Sequence, residues 1–222
     1  MVNEPETLLL DGFVERFVTA QLAADRSRAL DVVKAALQAG FDVPAIMLGI
    51  IQPSQYELGE KWERGEISVA EEHVGSAISQ SALGWMYSEF PPVRQSGPRV
   101  VVACVAGELH DLGARVVADL CEYNGFDVTY LGANVPNVTV LEAIEEVRPD
   151  VVFLSVTMSW NVPQLRTLAQ EINALDREIP VVVGGRGLAW MAEVREPDVE
   201  WHVLNDPLVA IAQFASRDGD SG

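Results

Sequence analysis

The sequence predicts a chain of class α+α/β: an N-terminal four-helix bundle followed by a Rossmann-like or flavodoxin-like parallel sheet. Three observations predict it. Residues 1–90 place apolar side chains at helical spacing between glycines and caps. Residues 91–98 lie in a stretch, EFPPVRQSGP, that holds three prolines and a glycine and reads as a linker. From residue 99 onward short β-branched runs alternate with helical stretches, the pattern of a parallel sheet wrapped by helices. The expected domains are 1–90, a linker at 91–98, a sheet domain at 99–216 and a frayed tail at 217–222.

Leu8, Leu9, Phe13, Phe17 and Val18 set the first helix. A second spans about 27–38 and stops at Gly40. A third spans about 44–62, with Pro53 inside it as an expected kink or break. Gly65 punctuates, and Ser68 with Glu71 forms a capping box that opens a fourth helix to about residue 88. Short connections make the four a bundle. Beyond the linker, expected strands are 99–105, 126–131, 151–156, 180–183 and 201–204. Expected helices are 112–124, 138–147, 164–175 and 207–214. Ligands of such sheets bind at the carboxyl ends of the strands.

Composition narrows the function. Of the 222 residues 49% are hydrophobic, enough for a real core. The net charge is -18, with 14 acidic and 7 basic residues in 1–97 and 19 and 8 in the remainder. Both halves are acidic, so direct binding of nucleic acid is excluded, because phosphate neutralisation needs clustered Lys and Arg. Cys104 and Cys121 sit in apolar runs and read as free buried thiols of a reducing compartment. The start has no basic n-region, and no apolar run reaches the ~18 residues of a membrane span. A cytoplasmic chain with no membrane contact is expected.

The loop after the first strand, 106–113, carries Glu108, His110 and Gly113. An imidazole at the binding edge of a sheet is a good transition-metal ligand. Glu108, two residues earlier, would accept a hydrogen bond from the other ring nitrogen and fix the tautomer. Gly113 would let a ligand approach the helix start. A solvated loop histidine is the competing reading. Asp111 reads as the helix N-cap. The loop lacks G-x-G-x-x-G, which counts against NAD or FAD. Ser155 and Thr157 follow the third strand and Gly184-Gly185 the fourth; together these small and hydroxyl residues describe a groove for something long and flat. In the bundle, Trp62 ends one helix while Glu72 and His73 open the next, so the three can converge. Near the positive end of a helix dipole His73 favours its neutral, ligating form. The competing reading is a core Trp, a solvated Glu and a helix-start His. Trp85 and Tyr87 read as core or a self-association face, Trp160 as a loop anchor or as a border of a bound flat ligand, and Trp201-His202 as structural. Three scattered histidines are too few for a zinc site.

These residues resemble the cobalamin-binding domain of methionine synthase and its relatives, whose signature is D-x-H-x-x-G, S-x-L and G-G. It stands here as Glu108-x-His110-x-x-Gly113, Ser155-x-Thr157 and Gly184-Gly185. Trp62-x9-Glu72-His73 is similar to the W-x9-E-H motif of the CarH/LitR-type cobalamin photoreceptors. The resemblance implies a light sensor, not an enzyme, with adenosylcobalamin bound in the dark. His110 would be the lower cobalt ligand and Glu108 would orient it. Ser155, Thr157 and the Gly pair would line the slot of the displaced nucleotide tail. Trp62 would pack on the adenosyl group, Glu72 would bond its ribose, and His73 would become the upper ligand after light. Output would pass through a homo-oligomer (dimer or tetramer) or an unknown protein signalling partner. Two departures stand out: Glu108 replaces Asp and Thr157 replaces Leu. The DNA-reading members carry a basic helix-turn-helix domain, so this chain is expected to be a stand-alone sensor module. Some stand-alone relatives, the photocobilins, also bind a bilin as a second chromophore, for which this sequence assigns no site. The alternatives are a corrinoid methyl carrier of a methyltransferase system and a metal-free acidic interaction domain.

Overall fold

The computed structural model describes residues 4–92, 97–191, 200–204 and 206–215. The chain divides into two compact units, 1–91 and 92–222. Part of the expected linker, 93–96, and the expected tail lie outside the described residues.

The first unit is helical. It comprises α1 (Glu4–Leu22), α2 (Arg26–Gln38), a long rod made of α3 (Val43–Ile46), a π turn (Met47–Ile51) and α4 (Gln52–Glu63), and then α5 (Val69–Glu89). Phe17, Ile46, Met47, Ile50, Ile51, Leu58, Leu83 and Met86 are fully buried and make its core. Phe13, Phe17 and Val18 of α1 are buried as expected, but at the start of the stripe Leu10 is buried and Leu9 is exposed. Leu10 lies over Gly49 of the π turn, where a Cβ would come within 2.9 Å of its Cδ1. The rod does not break at Pro53. The Gln52 N–H donates to Met47 O, five residues back. That wider turn accommodates a proline ring that an α-helix would drive into the carbonyl four residues earlier.

The rod ends in a reversal that brings Trp62 and the start of α5 to the same end of the unit. Gly65, at φ +70°, donates its N–H to Trp62 O, and the Glu66 N–H reaches Lys61 O. This pair of bonds is a Schellman closure, and its left-handed residue favours glycine. Ser68 then caps α5: its hydroxyl accepts the Glu71 N–H while the Glu71 carboxylate accepts the Ser68 N–H. Two aspartates cap further helices by accepting one backbone N–H each, Asp25 from Arg28 on α2 and Asp42 from Ala45 on α3.

The second unit is a five-stranded parallel sheet in the order β2-β1-β3-β4-β5. Its strands are β1 (Arg99–Cys104), β2 (Asp127–Gly132), β3 (Val151–Ser155), β4 (Val181–Gly184) and β5 (His202–Val203). Its helices are α6 (Leu112–Tyr123), α7 (Asn137–Val147), α8 (Val162–Asn173) and α9 (Pro207–Ala215). The central strands are buried on both faces, as parallel strands under helices must be. One face packs Val101, Ala103, Val152, Leu154, Val181 and Val183 against α7 and α8. On the other, α6 covers β1 and β2, and Phe153 meets Phe214 of α9 edge-on at 6.4 Å. Trp201 packs on the core beside β5, while His202 is exposed. Cys104 and Cys121 are free and buried, and burial pushes both thiols up to about 12. Strand order reverses between β1 and β3, so the crevice of this sheet opens at their carboxyl ends.

Candidate functional site

Three loops meet at that reversal. Glu108, in the loop after β1, is completely buried. An ionised carboxylate can only accept hydrogen bonds, and Glu108 accepts five. On Oε1 it takes the His110 Nδ1–H at 2.6 Å and the His110 N–H at 3.0 Å. On Oε2 it takes the backbone N–H groups of Thr157 and Met158, each at 2.9 Å, and Asn161 Nδ2 at 3.1 Å. Burial alone would raise this acid, but the bonds from His110, the Met158 amide and Asn161 outweigh it and hold it at about 2. Glu108 therefore stays charged and ties the loops after β1 and β3 together. The loop after β2 joins them: the Asn134 N–H donates to Glu108 O at 2.7 Å, and its Oδ1 accepts the Gly107 N–H at 2.8 Å.

His110 stands at the surface of this clamp with a half-exposed side chain. With Nδ1 donating to Glu108, its tautomer is fixed, and Nε2 is the nitrogen a metal would take. Among the described residues no three His, Cys, Asp or Glu side chains come together as a cage. A lone imidazole backed by a buried carboxylate suits a metal that arrives with its other ligands in place. Gly113, in the first turn of α6, is exposed, and a Cβ there would meet nothing within 4 Å. The extra methylene of Glu108 does not prevent a short bond to His110.

Cys104, Ser155 and Gly184 are register partners across β1, β3 and β4, so Ser155 and the Gly pair lie side by side at the crevice. The two glycines are also packed closely by their own chain. A Cβ on Gly184 would meet Leu204 Cδ2 at 3.1 Å, and one on Gly185 would run into the Val156 carbonyl. Gly185 also holds φ +110°, a region that side chains disfavour. Their smallness serves the chain's own close packing. Thr157 is half-buried and acts here through its N–H. Asp111 occupies the N-cap position of α6 without capping it; its carboxylate accepts the Tyr130 hydroxyl at 3.1 Å. Trp160 is no loop anchor, being 68% exposed on the loop after β3, and Leu109 beside His110 is 70% exposed.

In the helical unit, Glu72 and His73 form a second carboxylate–imidazole pair. The His73 Nδ1–H meets Glu72 Oε2 at 2.6 Å, and Ser76 Oγ lies 2.7 Å from Glu72 Oε1. His73 is 68% exposed and Glu72 largely covered. Trp62, 39% exposed, sits in the last turn of α4 at the same end of the unit. Asn161, Asn134 and Ser76 carry no local signal in the sequence. Each matters through a partner that only the fold supplies.

Comparison with known proteins agrees with this architecture. Residues 98–202 match the family model described as B12 binding domain, and residues 14–86 match a second model of the same description. The chain is 32% identical over 173 residues to the HTH-type transcriptional repressor CarA and 33% identical over 172 residues to CarH, both of Myxococcus xanthus. These alignments cover 78% and 77% of this chain but 58% and 56% of the relatives, so the chain spans little more than half their length. It is 28% identical to trimethylamine corrinoid protein 1 of Methanosarcina acetivorans, over 72% of this chain and 77% of that one. Its fold is that of the Methanosarcina barkeri monomethylamine corrinoid protein: TM-score 0.76, 20% identity, 91% of this chain and 97% of the other covered. A helical module and a parallel-sheet module, each matching a B12 binding domain model, make the chain a member of the B12-binding-domain family.

Proposed function

We propose that this chain is a light-responsive, adenosylcobalamin-binding sensor rather than a catalyst. The observation that carries the reading is that the chain builds one device twice. His110 and His73 each hold Nδ1 2.6 Å from a carboxylate, so each offers Nε2 to a metal. A carrier that binds cobalt from below needs one such histidine; a sensor that changes its upper ligand uses two. Bound adenosylcobalamin would supply a light-labile cobalt–carbon bond. His110 would be a ligand of its cobalt, kept in one tautomer by Glu108 and, behind it, Asn161. Trp62 offers its indole to the adenosyl group, Glu72 a carboxylate to the ribose, and His73 a replacement ligand. Ser155, Thr157, Gly184 and Gly185 border the nucleotide tail. Kinship with two transcriptional repressors supports a regulatory role. At net charge -18 the signal leaves through a partner protein or through the chain's own dimer or tetramer.

A corrinoid methyl carrier is the second reading, favoured by the coverage of the trimethylamine corrinoid proteins. Absorption spectra separate the two. The protein is loaded with adenosylcobalamin in the dark and illuminated with green light. The sensor reading expects a lasting spectral change in the wild type and a different photoproduct in His73→Ala. A wild-type spectrum that light leaves unchanged overturns it. Preference for methylcobalamin, with Trp62→Ala indistinguishable from the wild type, would establish the carrier instead.

A further inference from the structure

The Glu72–His73 pair is the surface end of a hydrogen-bonded chain that runs into the core of the helical unit. Glu72, Ser76 and Ser79 lie at i, i+4 and i+7, one face of α5. Ser76 Oγ lies 2.7 Å from Glu72 Oε1 and 2.9 Å from Gln55 Oε1 of α4. Gln55 Nε2 donates to Ser79 Oγ at 2.8 Å. Gln21 Nε2 of α1 donates to the same Oγ and to Gly75 O, both at 3.0 Å. Ser79 is completely buried and Gln21 almost so, in a core that is mostly apolar. Polar groups are costly there, and apolar ones of similar size would pack without that cost.

Counting protons shows that this chain has two arrangements. A serine hydroxyl carries one hydrogen. Ser76 therefore serves either Glu72 or Gln55, not both at once. At the far end Gln21 Oε1 is buried without a donor among the described residues. At the surface end one hydroxyl proton faces two acceptors, Glu72 Oε1 and Gln55 Oε1, so releasing one bond lets the other form.

We infer that Ser76 and Gln55 are positioning residues for the Glu72–His73 pair, and that the chain they begin carries a change at His73 to α1 through Ser79 and Gln21. Its use in signalling rests on the reading above, in which His73 changes partner; the coupling itself does not. While Ser76 donates to Glu72 it holds the carboxylate on Nδ1 of His73. When Glu72 lets go, the proton turns to Gln55, and the bond of Gln55 to Ser79, an acceptor that Gln21 shares, changes with it.

The test uses the full chain in the dark without cofactor. Ring nitrogen NMR of His73 is expected to show a single Nδ1–H tautomer in the wild type, a tautomer mixture in Ser76→Ala, and the single form again in Ser76→Thr. Hydrogen exchange of the Ala23 and Asp25 amides, which close the end of α1, is expected to quicken at least threefold in Glu72→Gln. That response is expected to vanish when Gln55→Met is added. A His73 spectrum unaltered in Ser76→Ala, or an α1 response of the same size with Gln55→Met, overturns the inference. Because neither readout involves light, an absent coupling beside an intact photoresponse sinks the relay alone. An intact coupling without photoresponse sinks only the sensor.

Discussion

At the scale of single residues, Glu108 decides the most. Its folded acid lies near 2, below its ordinary value of 4.5. A depressed carboxylate contributes stability that is present above about pH 4.5 and lost as pH falls toward 2. Asp119 works in the opposite sense. Burial raises it to about 6, more than its 2.9 Å bond from Arg115 lowers it. Its contribution is present below its ordinary value of 3.8 and lost as pH rises through 6. Urea unfolding across pH should therefore show Glu108→Gln flattening the acid limb below pH 4.5. At neutral pH that variant should lose about 2–4 kcal/mol, since it leaves buried donors mismatched. Asn161→Ala should cost less, about 1–2 kcal/mol, because it removes one donor of five. An acid limb unchanged in Glu108→Gln would refute the account of the clamp. The sequence placed Glu108 and His110 two residues apart at a sheet edge, which was enough to expect their bond. It could not show Asn161 or the Thr157 and Met158 amides as partners, since these come from about fifty residues away and only strand order brings them close.

At the scale of elements, the periodic parts were legible and the exceptions were not. Capping at Ser68, the reversal at Gly65 and the strand–helix alternation are local rules, and the chain obeys them. At Pro53, where a kink or break is expected, the helix continues without a break, because a π turn just before it accommodates the proline. The glycines of α5 show the same division between sequence and packing. Alike in sequence terms, Gly75 and Gly84 differ in surroundings: a Cβ on Gly75 would come within 2.5 Å of Leu58 Cδ1, while one on Gly84 meets nothing within 4 Å. Gly84→Ala should stabilise the protein by about 0.5–1 kcal/mol through helix propensity. Gly75→Ala should destabilise it by about 1–3 kcal/mol through overpacking. Thermal melts of the two variants check this. Equal shifts of the same sign would mean that the packing of α4 on α5 is misread.

At the scale of the whole molecule, two units with separate cores make cofactor contact separable by where protection appears. A ligand that binds only the folded state adds about 2.7 kcal/mol of stability at a hundredfold excess over its Kd, about a hundredfold slowing of exchange by global opening. The slowing reaches only those segments whose opening breaks contacts with the ligand. If His110 alone holds the cofactor, dark loading with adenosylcobalamin slows exchange in β1, β3 and α6 and leaves α4 and α5 as they were. If Trp62, Glu72 and His73 also hold it, the slow amides include the last turn of α4 and the first of α5. Trp62→Ala then returns those helices toward their unloaded rates while the sheet stays protected. On the proposed reading His110→Ala should weaken protection in both units, because His110 would anchor the cofactor for either. Protection confined to the sheet in the wild type would remove the helical unit from the site, and with it the sensor reading, while leaving the Glu108–His110 clamp intact.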